Sequence, residues 1–322
     1  MKKTLIFLAV ALIILMVAIN QRHRIIFSFM AAGEPPPLID AIDEGPEATW
    51  VDDYFITIPL KGALPTFAIG EPLYAQQNFS YLITGKERAV LFDAGPGYRD
   101  IRAVAESLTD LPITFIPSHF HYDHTGNKVT FDHVAVIDLP HIRSRAPDNR
   151  LQLTWTEHLG TNEGVAAPIL EIDEWLSPNQ IIDLGGREIK VLYTPGHTTD
   201  SVSLLDVRSQ FLFSGDYLYP GPLYGFLPNS SLGDYLWATH NVQENVARNA
   251  ILLGAHRSAG PGLPTLTMQD VNALQEALTA IKSGEAVSTE DYPVVYQVNE
   301  QIVLLAEPTW LQSWELTYPA NP

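Results

Sequence analysis

No cysteine occurs in the 322 residues. That excludes disulfides, thiolate metal ligands and a cysteine nucleophile. Any transition metal must then be held by imidazole and carboxylate, which suits zinc first and iron or manganese second. Positive charge is scarce: 19 Lys and Arg face 37 Asp and Glu, a formal net charge of −18. Such a surface repels phosphate backbones, and no run of Lys or Arg marks a basic cleft, so nucleic acid is not an expected partner. Fixed-period repeats and low-complexity tracts are missing as well. With 46% apolar residues, the chain is expected to bury a globular core.

The start of the chain stands apart. Lys2 and Lys3 precede an apolar run from Leu5 to Ile19. Fifteen residues match the hydrophobic region of a signal peptide and fall short of a full membrane span. No small-x-small cleavage site follows; Arg22, His23 and Arg24 do, then a second apolar stretch from Ile25 to Ala32. Residues 1–32 are therefore read as an N-terminal membrane anchor in preference to a cleaved signal segment. Either implies a membrane-anchored or periplasmic location, and basic residues on both flanks leave the orientation open. Pro35, Pro36 and Pro37 make residues 33–49 a stiff linker. Residues 50–286 are read as one catalytic domain, and 287–322 as a C-terminal extension ending in a hairpin.

Within the domain, strand-like runs alternate with helical ones. Phe55 to Leu60, Phe79 to Thr84, Ala89 to Phe92 and Ile113 to Ile116 read as strands, and Ile101 to Leu108 as a helix. Ile189 to Tyr193, Val202 to Leu205 and Phe211 to Phe213 repeat the strand pattern. Leu232 to Leu252 carries helical spacing. Thr267 and Asp270 form a capping box for a helix ending near Ser283, with Gly284 as its stop. Tyr292 to Tyr296 and Gln301 to Leu305 suggest a final hairpin. Strands mixed with helices in both halves predict an α/β layered fold.

The densest chemical signal is Ser118-His119-Phe120-His121-Tyr122-Asp123-His124, directly after a strand. Three His and one Asp in six positions is a concentration expected of a metal site, given ten His in all. If the segment is extended, His119 and His121 point the same way, and Asp123 and His124 then turn towards a neighbouring ion. Three further strand ends deliver His197, Asp216 and His256, as in a site built on sheet-edge loops. His133, His141, His158 and His240 fall in no such pattern and are read as ordinary.

These segments resemble the metallo-β-lactamase superfamily. The likeness rests on H-x-H-x-D-H at His119 to His124, P-G-H-T at His197, G-D at Asp216 and the late G-x-H at His256, in the family's order. It implies a four-layer αβ/βα sandwich and a sorting of ligands. His119, His121 and His197 would hold one ion; Asp123, His124 and His256 would hold a second; Asp216 would bridge them. Two zinc ions, with iron or manganese as substitutes, would share a hydroxide that attacks a small-molecule substrate. Asp123 would pass the proton to the leaving group. Asp93 matches an upstream acidic residue that supports the loops.

Departures from the subgroups narrow the chemistry. Two lactam-cleaving subgroups use a Cys ligand, and the third typically lacks the bridging Asp that Asp216 supplies. Asp216 instead resembles the glyoxalase II, lactonase and phosphodiesterase branches. Tyr219, three residues on, falls where lactonases place a tyrosine that contacts the substrate carbonyl, a group able to stabilise an oxyanion. Glutathione-binding relatives use basic residues near the C-terminus, where only Lys282 follows Arg257. The expected activity is hydrolysis of a carboxylic ester, lactone or amide. The alternatives are a B3-like β-lactamase, a phosphodiesterase, or a mono-iron oxidoreductase like the persulfide dioxygenases.

Overall fold

The strands Phe79–Thr84 and Ala89–Phe92 are buried at every position, as happens where both faces of a sheet are covered. They pair antiparallel around residues 85–88. A side chain at Gly85 would lie 1.8 Å from the Leu184 carbonyl oxygen, so only glycine fits this turn. The computed structural model describes residues 2–30, 32–258 and 260–317. In it these two strands belong to a six-stranded sheet with Thr49–Val51, Phe55–Pro59, Thr66–Gly70 and Ile113–Ile116. Ile113–Ile116 runs parallel to Ala89–Phe92, and the crossover between them is the helix Ile101–Leu108 (α3). The Asp100 carboxylate caps α3 by accepting from the Ala103 N–H at 3.3 Å. Ile101, Val104 and Ala105 pack into the core.

A second six-stranded sheet contains, in spatial order, Ile181–Asp183, Glu188–Tyr193, Val202–Asp206, Phe211–Gly215, Ile251–Gly254 and Thr265–Thr267. The sheets share a core in which Leu82, Leu91 and Phe92 meet Leu204, Phe213 and Leu253. Tyr81 crosses it, its ring centroid 5.0 Å from that of Phe213 and its hydroxyl donating to the Gly254 carbonyl at 2.6 Å. On the far face of the second sheet, Leu192, Leu205, Leu212 and Leu252 pack against the helices Leu232–Asn245 and Met268–Ser283. The result is helix, sheet, sheet, helix, the four-layer α/β sandwich expected.

Most elements fall where the sequence places them. One does not. The helix beginning at Leu232 ends at Asn245, and Ile251–Gly254 is a strand rather than its continuation. Leu252 and Leu253 feed the outer and inner cores respectively, a two-residue alternation. Read together with the helix before them, they mimic helical spacing. The Met268–Ser283 helix has the expected capping box and ends at Gly284, whose φ is +78°.

The C-terminal strands Val294–Gln297 and Ile302–Ala306 pair antiparallel. Ile302–Ala306 also runs parallel to Gly221–Gly225, which ties residues 287–317 to the domain; residues 318–322 of that extension lie outside the described residues. At the other end, Lys2–Asn20 (α1) exposes Ile6, Phe7, Leu8, Leu12 and Ile13. It bends by 66° into Arg22–Met30 (α2). Among the described residues no single helix is long and apolar enough to cross a membrane; the bent pair passes that test by length and composition only. The segment after α2 lies against the domain: Gly33 N–H donates to the Asn162 carbonyl at 3.0 Å and Ile39 N–H to that of Leu73 at 2.9 Å.

Glu71 is buried and accepts from the Tyr54 hydroxyl at 3.0 Å. Desolvation pushes its carboxyl from 4.5 up to about 8. The folded protein therefore keeps a proton that the unfolded chain releases above its ordinary value. Stability from this group is full at low pH and is lost as pH rises towards 8, by up to about 1.4 kcal/mol per pH unit. Glu71→Gln is expected to flatten that slope. Urea unfolding at pH 5 and pH 8 tests it: equal pH dependence in both proteins would show Glu71 to be ionised in the fold.

Candidate metal centre

The segment from His119 to His124 is a succession of bends and a turn, not the extended strand from which shared direction was expected. Its imidazoles converge because the loop is folded back on two supports. The Asp93 carboxylate accepts from the Ser118 N–H at 2.6 Å and lies 2.9 Å from His124 Nδ1. The Asp200 carboxylate accepts from the Phe120 N–H at 2.8 Å. Asp93 reaches this position at the end of its strand with a left-handed φ of +65°. It sits behind the cluster as a support, the role the sequence pointed to.

The other members arrive from strand ends of the second sheet. Gly196 allows the approach of His197, since a Cβ there would lie 2.3 Å from the Tyr235 ring. Gly215 does the same before Asp216: its φ is +53° and a Cβ would lie 2.6 Å from that of Ser118. Outer nitrogens are anchored in turn. His197 Nδ1 faces the Tyr224 carbonyl and His256 Nδ1 the Gln76 carbonyl, both at 3.0 Å, so each carries its proton there. Their Nε2 lone pairs face inward.

All seven residues converge. Ligand atoms of His119, His121 and His197 lie within 4.8 Å of one another, as do those of Asp123, His124 and His256. His121 Nδ1 is 2.9 Å from His119 Nε2 and 3.0 Å from His197 Nε2. Asp216 stands between the triads: Oδ2 is 3.4 Å from His197 Nε2, and Oδ1 is 3.1 Å from His256 Nε2 and 3.5 Å from His124 Nε2. Burial lowers the basicity of His119, His121 and His197, keeping them neutral and able to donate lone pairs. Burial opposes charge on His124 and His256 too, but the carboxylates around them outweigh it and raise both. Burial alone would raise Asp123 and Asp216; the neighbouring imidazoles hold both well below the usual carboxylate range.

This donor set fits divalent metal. His121 Nε2, His124 Nε2 and Asp216 Oδ1 are buried without a hydrogen-bond partner, a costly condition unless another ligand satisfies them. The cluster forms the floor of a cleft of about 460 Å³, within the roughly 300–1,000 Å³ of small-molecule sites. Its walls include Ile26, Phe27, Leu159, Tyr219, Pro222 and Leu227. The Tyr219 hydroxyl donates to the Pro222 carbonyl at 2.5 Å, and its ring packs edge-on to His256. That proton is already engaged, so the oxyanion contact expected of Tyr219 requires this bond to break. His158, read as ordinary, is a buried support: its carbonyl accepts from the Tyr122 N–H at 2.8 Å. Asn78, whose side-chain amide donates to the Asp123 carbonyl oxygen at 2.8 Å, and the carbonyls of Gln76 and Tyr224 were not foreseen. Backbone acceptors leave no mark in a sequence.

The chain is similar to several known proteins. The bovine (Bos taurus) acyl-coenzyme A thioesterase MBLAC2 is 30% identical over 211 residues, spanning 58% of this chain and 75% of that protein. A hydroxyacylglutathione hydrolase from Bradyrhizobium sp. (strain ORS 278) is 31% identical over 147 residues, 44% of this chain and 48% of that one. Among solved structures, a metallo-beta-lactamase family protein from Thermus thermophilus overlays with a TM-score of 0.49 at 16% identity, covering 72% of this chain and 80% of its own. The sequence profile of the Metallo-beta-lactamase superfamily matches residues 73–286. The chain belongs to the metallo-beta-lactamase superfamily, as an enzyme whose His and Asp side chains form a metal-binding centre.

Proposed function

We propose that this hydrolase binds two zinc ions and cleaves an acyl ester or thioester, with lactones as close variants. The observation that carries the reading is the pair of complete triads sharing Asp216 at the floor of an apolar-walled cleft. Zinc suits a site of imidazole and carboxylate donors without thiolate. Two bound ions would polarise the acyl carbonyl and bring a water molecule's pKa near neutrality. His119, His121 and His197 would hold one ion, and Asp123, His124 and His256 the other. Asp123, steadied by Asn78, offers a carboxylate oxygen that can take a proton from the attacking water and deliver it to the leaving group.

The cleft disfavours a phosphodiester. Among the described residues its one cationic side chain is Arg257, and that guanidinium is tied to both carboxylate oxygens of Glu44 at 2.6 Å. The similarity to an acyl-coenzyme A thioesterase favours an acyl substrate. The full second triad favours two ions over a single iron. α1 exposes its apolar side chains while α2 packs on the domain, which supports an uncleaved N-terminal anchor seated in a membrane.

Asp216→Ala and His121→Ala are expected to lose metal and turnover while keeping a cooperative thermal transition. Asp93→Asn, which loosens the support of Ser118 and His124 behind the cluster, is expected to weaken metal binding by about 10–100-fold. Metal quantification beside acyl-ester and acyl-thioester assays checks these; full turnover in Asp216→Ala, or one iron per chain with oxygen consumption, would defeat the assignment. Tyr219→Phe is expected to stay within about threefold of wild-type kcat, because its proton serves Pro222; a loss of about 100-fold or more would restore it as an oxyanion donor. Leu12→Lys is expected to move the full chain from the membrane pellet to the supernatant, and an unchanged distribution would remove α1 as an anchor.

A further inference from the structure

Helix α2 is more than a continuation of the N-terminal run. Phe27 is buried against Tyr122 and Leu159, and its ring meets Trp155 edge-on at 5.8 Å. Arg22 pairs with Glu307 at 2.6 Å, and the Arg24 guanidinium lies 5.3 Å above the Trp155 ring. His23 Nε2 lies 2.8 Å from the Phe226 carbonyl oxygen, so α2 also grips the opposite rim of the cleft. The chain leaving α2 is seated too, since a Cβ on Gly164 would lie 2.2 Å from the Gly33 carbonyl oxygen. Ile26 and Phe27 face the same cleft as His121, Asp123 and His256.

We infer that Ile26 and Phe27 form one wall of an acyl-chain subsite, so that the membrane-proximal helix sets which acyl lengths this enzyme accepts. This rests on the acyl-hydrolase reading. The cleft is two-sided in chemistry: carboxylates and imidazoles line the floor, and Ile26, Phe27, Leu159 and Leu227 line the sides. A ligand that fits both has a carbonyl at one end and an extended hydrocarbon at the other. Among the described residues no free cation stands on the walls to receive a charged tail, because Arg257 is held by Glu44. The α2 wall is joined to the metal loop. Tyr122, between His121 and Asp123, donates to Glu163 at 2.7 Å, and Glu163 lies on the short helix Gly160–Glu163, where the chain leaving α2 bonds Asn162.

The test uses the full-length, zinc-reconstituted chain with p-nitrophenyl esters and the matching thioesters from acetyl to dodecanoyl. Wild-type kcat/KM is expected to rise with acyl length. In Phe27→Ala the long-to-short ratio is expected to fall about tenfold, mainly through KM, as for lost contacts in an apolar pocket. Ile26→Trp changes a half-exposed position and is expected to penalise the longest chains selectively; it carries the test if Phe27→Ala fails to fold. Length profiles in folded variants that superimpose on wild type would overturn the subsite while leaving the hydrolase reading intact. Failure of the wild type to cleave any member of the series would overturn both.

Discussion

Five imidazoles and two carboxylates lie almost wholly out of water around one point, and most of the molecule is arranged to make that tolerable. An isolated buried carboxylate costs several kcal/mol even after relaxation. Asp123 and Asp216 stay ionised because His124 and His256 stand within about 3.5 Å. Asp93 answers the remaining nitrogen of His124. The balance is incomplete without a cation, since inward-facing atoms remain unpaired. Divalent metal supplies the missing positive charge and the missing bonds together, so the electrostatics of the site and its chemistry have one origin.

Holding that balance takes two sheets. The first supplies the His119–His124 loop and its Asp93 support; the second supplies His197 and Asp216 and leads into His256. The sheets are locked next to the site by main-chain bonds: Phe79 N–H to the Ala255 carbonyl at 2.7 Å and Val202 N–H to the Ser118 carbonyl at 2.8 Å. Glu71 strengthens the same corner. It packs so closely on Gly95 that a Cβ there would lie 1.7 Å from its carboxyl oxygen, and Gly95 sits in the loop whose Ala94 N–H donates to the His124 carbonyl at 3.0 Å. Desolvation keeps Glu71 neutral near pH 7, and hydrogen bonds with Ser118 and His124 hold the buried Asp93 side chain in place.

The metal floor was legible in the sequence because each member follows a strand and carries its own short motif. The strands Phe79–Thr84 and Ala89–Phe92 and helix α3 were legible for a related reason, since uniform burial or a strict apolar stripe leaves a readable pattern. The Leu232–Asn245 boundary was not, because a two-faced strand and a helix share apolar spacing over a few residues. Nor was the bent course of His119–His124, which comes from Asp93 and Asp200, residues distant in sequence. The carbonyls that orient His197 and His256 belong to residues whose side chains have other roles, so no residue type could announce them.

The same division explains why the chemistry reads more clearly than the substrate. The floor carries the metal-binding side chains, and it is built from strand ends and the loop they brace. The walls fix what the scissile bond is attached to, and they are assembled from unrelated places: α2, the Leu159 turn, and the Tyr219–Leu227 run beside the C-terminal strands. Each wall segment is apolar for reasons that packing alone would satisfy. Phe27 reads as part of a hydrophobic anchor. Only the convergence of these segments over His121 and His256 gives them a functional meaning, and convergence between positions 27 and 227 is a property of the fold rather than of any local stretch of sequence. The walls are nevertheless tied to the floor, since the Tyr224 carbonyl orients His197 and the Tyr219 ring packs on His256, so the wall segments and the metal centre are held in one register.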